Sequence, residues 1–428
     1  MEFIMSNFAL IVDTNRRPLN PIHPAQARLL LKQRKASILR RFPFTIILKT
    51  ASNAQTQPLE IKIDPGSKVT GLVLVTNSKV IWAAELTHRG AQIKAALLSR
   101  RQLRRNRRSR KTRYRKARFL NRTRPNGWLA PSLKHRVQTT LTWVNRLRRF
   151  APVTAIAQEL VKFDTQLMQD ETISGPEYQS GTLAGYEIRS YLLEKFDRKC
   201  AYCGVEHVPF EIDHIIPRSK NGSDRPSNLC LSCHDCNQAK SNHPIQEFLA
   251  DKPDVLKRLL ALAKSPLRDA AAVNSTRWAL FDALKATDLP ITTGTGGRTR
   301  WNRFRFQLPK THWIDAALVG AVETITLLTN RPLSIACNGH GTRQSCRTDR
   351  FGFPSRYVPQ YKFVKGFQTG DLVKAVVTKG KKVGTYIGRC AVRSSGSFNI
   401  STKSGLIQGI SHRYCQTVHS KDGYNYSF

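Results

Sequence analysis

At 428 residues the chain is long enough for two or more domains, and a hydrophobic content of 40% supports real cores and excludes a disordered basic tail. Its 70 Lys and Arg against 29 Asp and Glu leave a formal charge of +41, a field that points to a polyanionic partner and to binding that weakens steeply with salt. No run of 18 apolar residues exists, which excludes a membrane-spanning helix, and the first residues lack the basic and apolar regions of a signal peptide. Of nine cysteines, four form two CxxC pairs, while Cys230, Cys337, Cys346, Cys390 and Cys415 are scattered, which predicts a reducing, intracellular compartment.

The first 53 residues read as a small basic unit. Apolar runs at 8–12 and 44–48 have strand character and flank a segment at 24–35 with helical periodicity. Between them, Pro18-Leu19-Asn20-Pro21 predicts a rigid turn set by its two prolines. Residues 61–75 read as two apolar strands around a Pro-Gly-Ser turn, with Asp64 closing the first. An Asp ahead of Pro-Gly is also an ordinary turn residue. Residues 100–118 then hold twelve Arg or Lys among nineteen, with no Gly or Pro. A helix so charged repels itself unless a polyanion neutralises it, and a solvated charge block is the plainer alternative. The excess of Arg over Lys favours phosphate forks and base stacking.

A helix is predicted over 133–150, then a strand over 153–159 that ends on Glu159. Residues 170–185 read as a loop and 186–196 as a helix. In the next stretch Cys200/Cys203 and Cys233/Cys236 have the spacing of a closed tetrahedral four-cysteine zinc site. Between the pairs lie Glu211-Ile212-Asp213-His214-Ile215-Ile216-Pro217 and Asn228-Leu229, and Asn237 directly follows the last cysteine. A zinc knuckle that merely bound nucleic acid would have no need of the Asp-His pair. Helical segments follow at 243–262 and 266–286, and residues 288–300, rich in Gly and Thr, predict a flexible connector. Arg298, Arg300, Arg303 and Arg305 interleave with Trp301, Phe304 and Phe306, which suits backbone contact with stacking, or a β-hairpin with alternating faces. An apolar helix is predicted from 312 to about 328, with His312 and Asp315 on one face of its first turn, where either is also a common cap. From about 332 onward, apolar and polar residues alternate between Gly turns, which predicts a small barrel or sheet.

The segment 200–240 resembles the HNH nuclease motif, a ββα-metal fold in which two strands and a helix converge on one divalent cation. The resemblance implies that His214 is the general base on the attacking water and that Asp213 and Asn237 hold Mg2+ through oxygen. It also implies that Asn228 orients the His214 ring and that Cys200, Cys203, Cys233 and Cys236 hold a structural Zn2+. Strand-borne Asp64, strand-borne Glu159 with Lys162-Phe163-Asp164 after it, and His312-x-x-Asp315-Ala316 resemble, in order, the three motifs of a RuvC-type, RNase H-like nuclease. Asp64, Glu159 and Asp315 are then Mg2+-binding carboxylates and His312 is a metal-side or proton-transfer partner. The basic block resembles the bridge helix of IscB and its CRISPR relatives. That assigns guide-RNA contacts to Arg100, Arg101, Arg104, Arg105, Arg107, Arg108, Arg110, Lys111, Arg113, Arg115, Lys116 and Arg118.

As a whole the chain resembles the IscB family, transposon-encoded RNA-guided nucleases related to the CRISPR type II effector, with Asn20 where the family's PLMP segment has Met. The resemblance implies an α/β multidomain fold with an RNase H-like (RuvC) core split in three, at 54–92, 125–187 and 263–330. A PLMP-like domain at 1–53, a bridge helix at 93–124, a zinc-containing HNH unit at 188–262 and a β-rich domain at 331–428 complete it. The last of these is expected to read a short motif beside the target. The implied partners are an ωRNA guide and double-stranded DNA, with HNH cutting the guide-paired strand and RuvC the displaced strand. A monomeric ribonucleoprotein in the cytoplasm of a prokaryotic cell, without a membrane, is expected. Two other readings stand beside this one. A guide-independent HNH endonuclease leaves the ordered carboxylates and the Arg-rich block without a purpose, and a non-cleaving ribonucleoprotein scaffold sits badly with an intact set of site residues.

Overall fold

A computed structural model describes residues 6–109, 127–161, 184–264, 270–339, 346–351, 353–357 and 361–428. The chain divides into two compact units. The first comprises Met1–Ser37, Ile46–Leu86 and Leu133–Leu333, and the second Ile38–Thr45, Thr87–Ser132 and Ser334–Phe428. Among the described residues no helix is long and apolar enough to cross a membrane.

The chain opens with β1 (Ala9–Val12), β2 (Pro18–Ile22), α1 (Pro24–Lys32), β3 (Ala36–Arg40) and β4 (Thr45–Leu48), in a sheet of order β2-β1-β4-β3. The Pro18–Pro21 stretch is therefore strand, where a turn was expected. Its strand lies at the sheet edge, the place where residues lacking an N–H leave no ladder bond unmade.

Next come β5 (Leu59–Asp64), β6 (Val69–Thr76), β7 (Lys79–Thr87), α2 (Gly90–Ser109), α3 (Pro131–Phe150) and β8 (Val153–Val161). The HNH-like segment is built from α4 (Ala184–Lys195), β9 (Phe210–His214), β10 (Leu229–Cys233) and α5 (His234–Lys240), followed by α6 (Ile245–Phe248) and α7 (Pro253–Lys264). Then α8 (Ala270–Lys285), β11 (Ile291–Thr295), α9 (Gly296–Arg305), α10 (His312–Ala317) and β12 (Thr326–Leu327) return to the sheet that β5 began.

In that sheet the order runs β11-β8-β5-β6-β7, with β12 beside β7. Strand β5 pairs antiparallel with β6 and parallel with β8, and β11 pairs parallel with β8. Ile61, Ile63, Leu72 and Leu74 have no exposed surface, as expected for near-continuous apolar strands covered on both faces. Trp143 of α3 stacks on Trp82 of β7, ring centroids 6.5 Å apart, so the helix seals one face.

Three expectations fail here for tertiary reasons. Residues 288–300 are not a connector, and the Arg/aromatic run after them is not a hairpin: β11 pairs with β8, and Thr295 caps α9 by accepting from the Arg298 N–H. The helix that begins at His312 ends at Ala317 rather than near 328. The carbonyls just beyond its end are taken by side chains, Asn302 Nδ2 donating to Leu318 and Gly320 and Lys62 Nζ to Val319, and Gly320 turns the chain at φ +81°. The Gly/Thr composition that suggested flexibility serves close approach instead: a Cβ on Gly294 would sit 2.7 Å from the Gly320 nitrogen.

In the second unit, β13 (Leu333–Cys337) pairs with β23 (Tyr424–Ser427), and two short ribbons lie between them in sequence. These are β14 (Cys346–Thr348) with β15 (Pro354–Tyr357), and β16 (Phe363–Val364) with β17 (Phe367–Gln368). A five-stranded antiparallel sheet is made of β18 (Leu372–Val377), β19 (Gly384–Ala391), β20 (Ser397–Thr402), β21 (Gly405–Ser411) and β22 (Cys415–His419), in order β21-β20-β19-β18-β22. Its alternating pattern buries Val373, Ala375, Val377, Phe398 and Ile400 on one side, as the period-2 hydropathy predicts. Helix α2 belongs to this unit and exposes Arg100, Arg101, Arg104, Arg105 and Arg108, with Arg107 half-buried over the Phe353 ring. The other basic residues singled out above, Arg110 to Arg118, lie outside the described residues.

Candidate active sites

The first site forms where parallel strands β5 and β8 end together. Parallel pairing sends their C-terminal ends to one edge, so Asp64 at the end of β5 meets Glu159 near the end of β8. Helix α10 brings His312 and Asp315 to the same place. It gets there because Asp64 stands opposite Gly71 in the β5–β6 register, and a Cβ on Gly71 would run into the His312 carbonyl. Glu85 of β7 accepts from the His312 and Trp313 N–H groups, and Thr311 caps from the other side, so the helix start is held firmly. His312 Nδ1 is 3.4 Å from Asp64 Oδ2.

Two buried arginines complete this cluster: Arg277, which carried no expectation, and Arg303, which was expected to serve backbone contact with stacking. Arg277 of α8 donates through Nη2 to Glu159 Oε1 at 2.7 Å, reaches Asp64 Oδ1 at 3.5 Å, and donates through Nε to the Pro65 carbonyl at 3.0 Å. Arg303 of α9 pairs with Asp315. Burial pushes Glu159 up to about 7. Arg277 opposes that rise, while the nearby charges of Asp64 and Asp315 add to it. Asp315 is raised by burial and then by Asp64, and His312 is raised by its hydrogen bond to Asp64. Glu159 and Asp315, both raised in part by the charge of neighbouring acids, gather with Asp64 in a way that fits a cation, and the all-oxygen set fits a hard one. All four residues singled out in the sequence, Asp64, Glu159, His312 and Asp315, are brought together.

The second site is local. Strands β9 and β10 pair antiparallel with Asp213 opposite Cys230 and His214 opposite Leu229, and α5 starts directly after Cys233. The sulfurs of Cys200, Cys203, Cys233 and Cys236 all lie within 4.8 Å of one another, with Cys203 and Cys233 3.7 Å apart. A tetrahedron with metal–sulfur bonds of about 2.3 Å has edges of about 3.8 Å, close to the Cys203–Cys233 spacing, so the set suits a tetrahedral ion. Burial raises the Cys200 thiol, but N–H groups of Cys203, Cys233 and Tyr202 outweigh it and bring the group to about 7.

Asp213 is buried and held at both oxygens, by the Tyr202 hydroxyl on Oδ2 and by Lys240 Nζ on Oδ1 at 3.1 Å. Lys240, wholly buried, also donates to the His214 carbonyl at 2.7 Å. His214 Nε2 lies 2.6 Å from Asp224 Oδ1, an oxygen shared with Arg218, and these donors hold the Asp224 carboxyl low. Asn228 was expected to orient the His214 ring and does not. Its amide accepts from the Ile216 N–H and donates to the carbonyls of Ile216 and Ser223, so it braces the loop after His214, and Asp224 is the ring's partner. Asn237 Nδ2 donates to Glu211 Oε2 at 2.6 Å, and Glu211 in turn reaches His234 at 2.9 Å. Lys240 stands three residues after Asn237, at the end of the segment that resembles HNH, and Tyr202 had only its place between two cysteines. Asp224 had no signal.

Residues 200–243 match the HNH endonuclease family. The chain carries an HNH endonuclease domain. Residues 9–181 match the family described as RRXRR protein. Over 49 residues the chain is 47% identical to the CRISPR-associated endonuclease Cas9 of Corynebacterium diphtheriae, a match covering 11% of this chain and 4% of that protein. The structure of Streptococcus thermophilus Cas9 in complex with the AGAA PAM aligns with 60% of this chain and 32% of its own, at 14% identity and a TM-score of 0.21. Type II-C Cas9 from Actinomyces naeslundii aligns with 45% of this chain and 28% of its own, at 19% identity and a TM-score of 0.19. The chain thus spans about a third of the length of these solved relatives or less.

Around its cysteine cluster the HNH domain has its own core, in which Leu192, Tyr202, Leu231, Ile245 and Leu249 are buried together. Strand, strand and helix are therefore fixed both by apolar packing and by the sulfur set.

Proposed function

We propose that this chain is an RNA-guided endonuclease of the IscB kind, which cuts both strands of a DNA duplex chosen by pairing to a bound ωRNA. The observation that carries the reading is the meeting of Asp64, Glu159 and Asp315 at one sheet edge, with the HNH domain inserted between the second and third. An HNH endonuclease acting alone has no use for a second acidic centre. On this reading residues 54–92, 125–187 and 263–330 are three parts of one RuvC core. Residues 1–53 are the PLMP-like domain, 93–124 the bridge helix gripping RNA, 188–262 the HNH unit and 331–428 the reader of a short motif beside the target. Base pairing selects the target, so the protein needs a positively charged channel more than a sequence-reading surface, and a charge of +41 suits that.

In the RuvC site Asp64, Glu159 and Asp315 would hold Mg2+, with His312 keeping a proton against Asp64. In the HNH site Asp213 and Asn237 would hold it, both through oxygen. Bound Mg2+ supplies charge stabilisation to the attacking and leaving oxygens of phosphodiester hydrolysis. His214 directs Nε2 at Asp224, which leaves Nδ1 as the basic nitrogen to take the proton of the attacking water. The four cysteines would hold Zn2+ as a structural ion. HNH is assigned the guide-paired strand and RuvC the displaced strand.

The test begins with RNA that copurifies from cells carrying the native locus. One dominant structured RNA with a variable end is expected, and that end names the target. Random RNA that salt strips away would return the chain to a guide-independent endonuclease. With the target known, His214→Ala should stop cutting of the guide-paired strand alone, and Asp64→Ala the other strand alone. Loss of both cuts from either single substitution would contradict two independent sites.

A further inference from the structure

We propose that the Tyr202 hydroxyl is a positioning group for the HNH metal site, coupling the four-cysteine cluster to Asp213. The inference rests on the assignment of Asp213 as a Mg2+ ligand and names a residue that acts through it. Tyr202 sits between Cys200 and Cys203, so its backbone belongs to the sulfur cluster. Its ring is buried in the domain core, edge-on to Phe248 at 5.3 Å. Its hydroxyl bonds Asp213 Oδ2 and lies 3.1 Å from Cys230 Sγ. Because Cys230 pairs with Asp213 across β9 and β10, the hydroxyl sits over the junction of the two strands.

A buried tyrosine needs a partner for its O–H, and a backbone carbonyl would serve. Here the partner is the carboxylate assigned to the metal. Each carboxylate oxygen offers two lone-pair directions, so the hydroxyl takes one on Oδ2 and leaves the other open. Lys240 grips Oδ1 from α5, and the carboxylate is thereby fixed from two elements. The loop carrying Tyr202 is tied to β10 through the Ala201 N–H, which donates to the Leu231 carbonyl at 2.7 Å, and through the cysteine set. Loss of the ion held by the cysteines would free that loop and withdraw the hydroxyl. Partners that orient metal ligands in this way are typically worth about 10–100-fold in metal affinity.

The experiment titrates Mn2+ into the full-length chain carrying Asp64→Asn and Asp315→Asn, which weaken the other carboxylate centre. Bound Mn2+ is read by electron paramagnetic resonance, and zinc content and Tm are measured on the same samples. Tyr202→Phe in this background is expected to keep its zinc and Tm while binding Mn2+ about tenfold more weakly. In the guided complex it should raise the Mg2+ needed for cutting the guide-paired strand by a similar factor. Undiminished Mn2+ binding would overturn the inference, and so would loss of zinc, which would show the hydroxyl serving the cysteine cluster alone. Asp213→Ala separates the two failures. If it abolishes Mn2+ binding while Tyr202→Phe does not, only this inference falls; if it binds Mn2+ like the parent, the assignment of Asp213 falls first.

Discussion

The HNH domain gathers its functional groups from the short run between Cys200 and Lys240, whereas the carboxylate cluster draws on residues from Asp64 to Asp315. Their supports differ accordingly. The HNH groups hang on a two-stranded ribbon and a seven-residue helix, elements too small to be stable without the cysteine set and a modest core. Asp64 and Glu159 sit near the ends of largely buried strands, Asp315 sits on helix α10, and two arginines offset part of the charge. On the proposed assignments, the HNH site would depend on its cysteine-bound ion for shape, and the carboxylate site on a cation to complete its charge balance.

Removing the cysteine-bound metal is the harshest way to break that comparison. Cys233→Ser should release zinc and unfold the HNH domain locally, since a structural site of this kind supplies folding free energy on the order of 10 kcal/mol. Cutting of the guide-paired strand should vanish while the displaced strand is still cut. Zinc analysis with hydrogen exchange over 200–240 would read this, and full HNH activity in a zinc-free variant would refute the role.

In the other site the harsh change is electrostatic. Arg277→Met leaves Glu159 and Asp64 buried without their shared cation, which should destabilise the metal-free protein by about 3–5 kcal/mol. If charge is what the site lacks, added Mg2+ should restore most of that loss. Thermal unfolding with and without Mg2+ decides it, and an equal loss in both would mean that Arg277 is needed for packing.

A gentler probe is pH. Glu159 lies at about 7 in the folded chain against an ordinary 4.5, with burial the main cause. The raised value means the folded state prefers the protonated acid. Its stabilising contribution to the metal-free fold is whole below about 4.5 and gone once pH has passed about 7. Mg2+ competes with that proton, so the Mg2+ needed for displaced-strand cutting should fall as pH rises through the same window. A flat Mg2+ requirement across it would show that Glu159 is already ionised there. The smallest effect is expected at Asp224, half exposed and therefore well screened. Asp224→Asn should slow cutting of the guide-paired strand by about threefold to tenfold with little change in KM, measured in single-turnover kinetics.

Legibility followed the same division. The cysteine spacing and the Asp-His pair stood out because metal and proton chemistry require those residue types close together in a short segment. Asp64, Glu159 and Asp315 were legible as acids at the ends of apolar stretches, in an order that a known nuclease core shares. Roles that depend on which neighbour arrives were misread or missed. Asn228 went to the loop and left the ring to Asp224, and Arg277 and Arg303 came from helices that periodicity alone could not aim at the site.

The apolar strands, Asp64 and Glu159 at their ends, the cysteine set and the excess of positive charge could all be read from sequence, because each is a property of a residue and its near neighbours. Tertiary structure decided that Pro18–Ile22 is an edge strand, that residues 288–300 close a sheet as β11 and open α9, and that the helix from His312 stops at Ala317. The physical reason is common to all three. An edge, a parallel partner and side chains that capture the carbonyls just past a helix end are supplied by other chain segments, and local propensity holds no record of them.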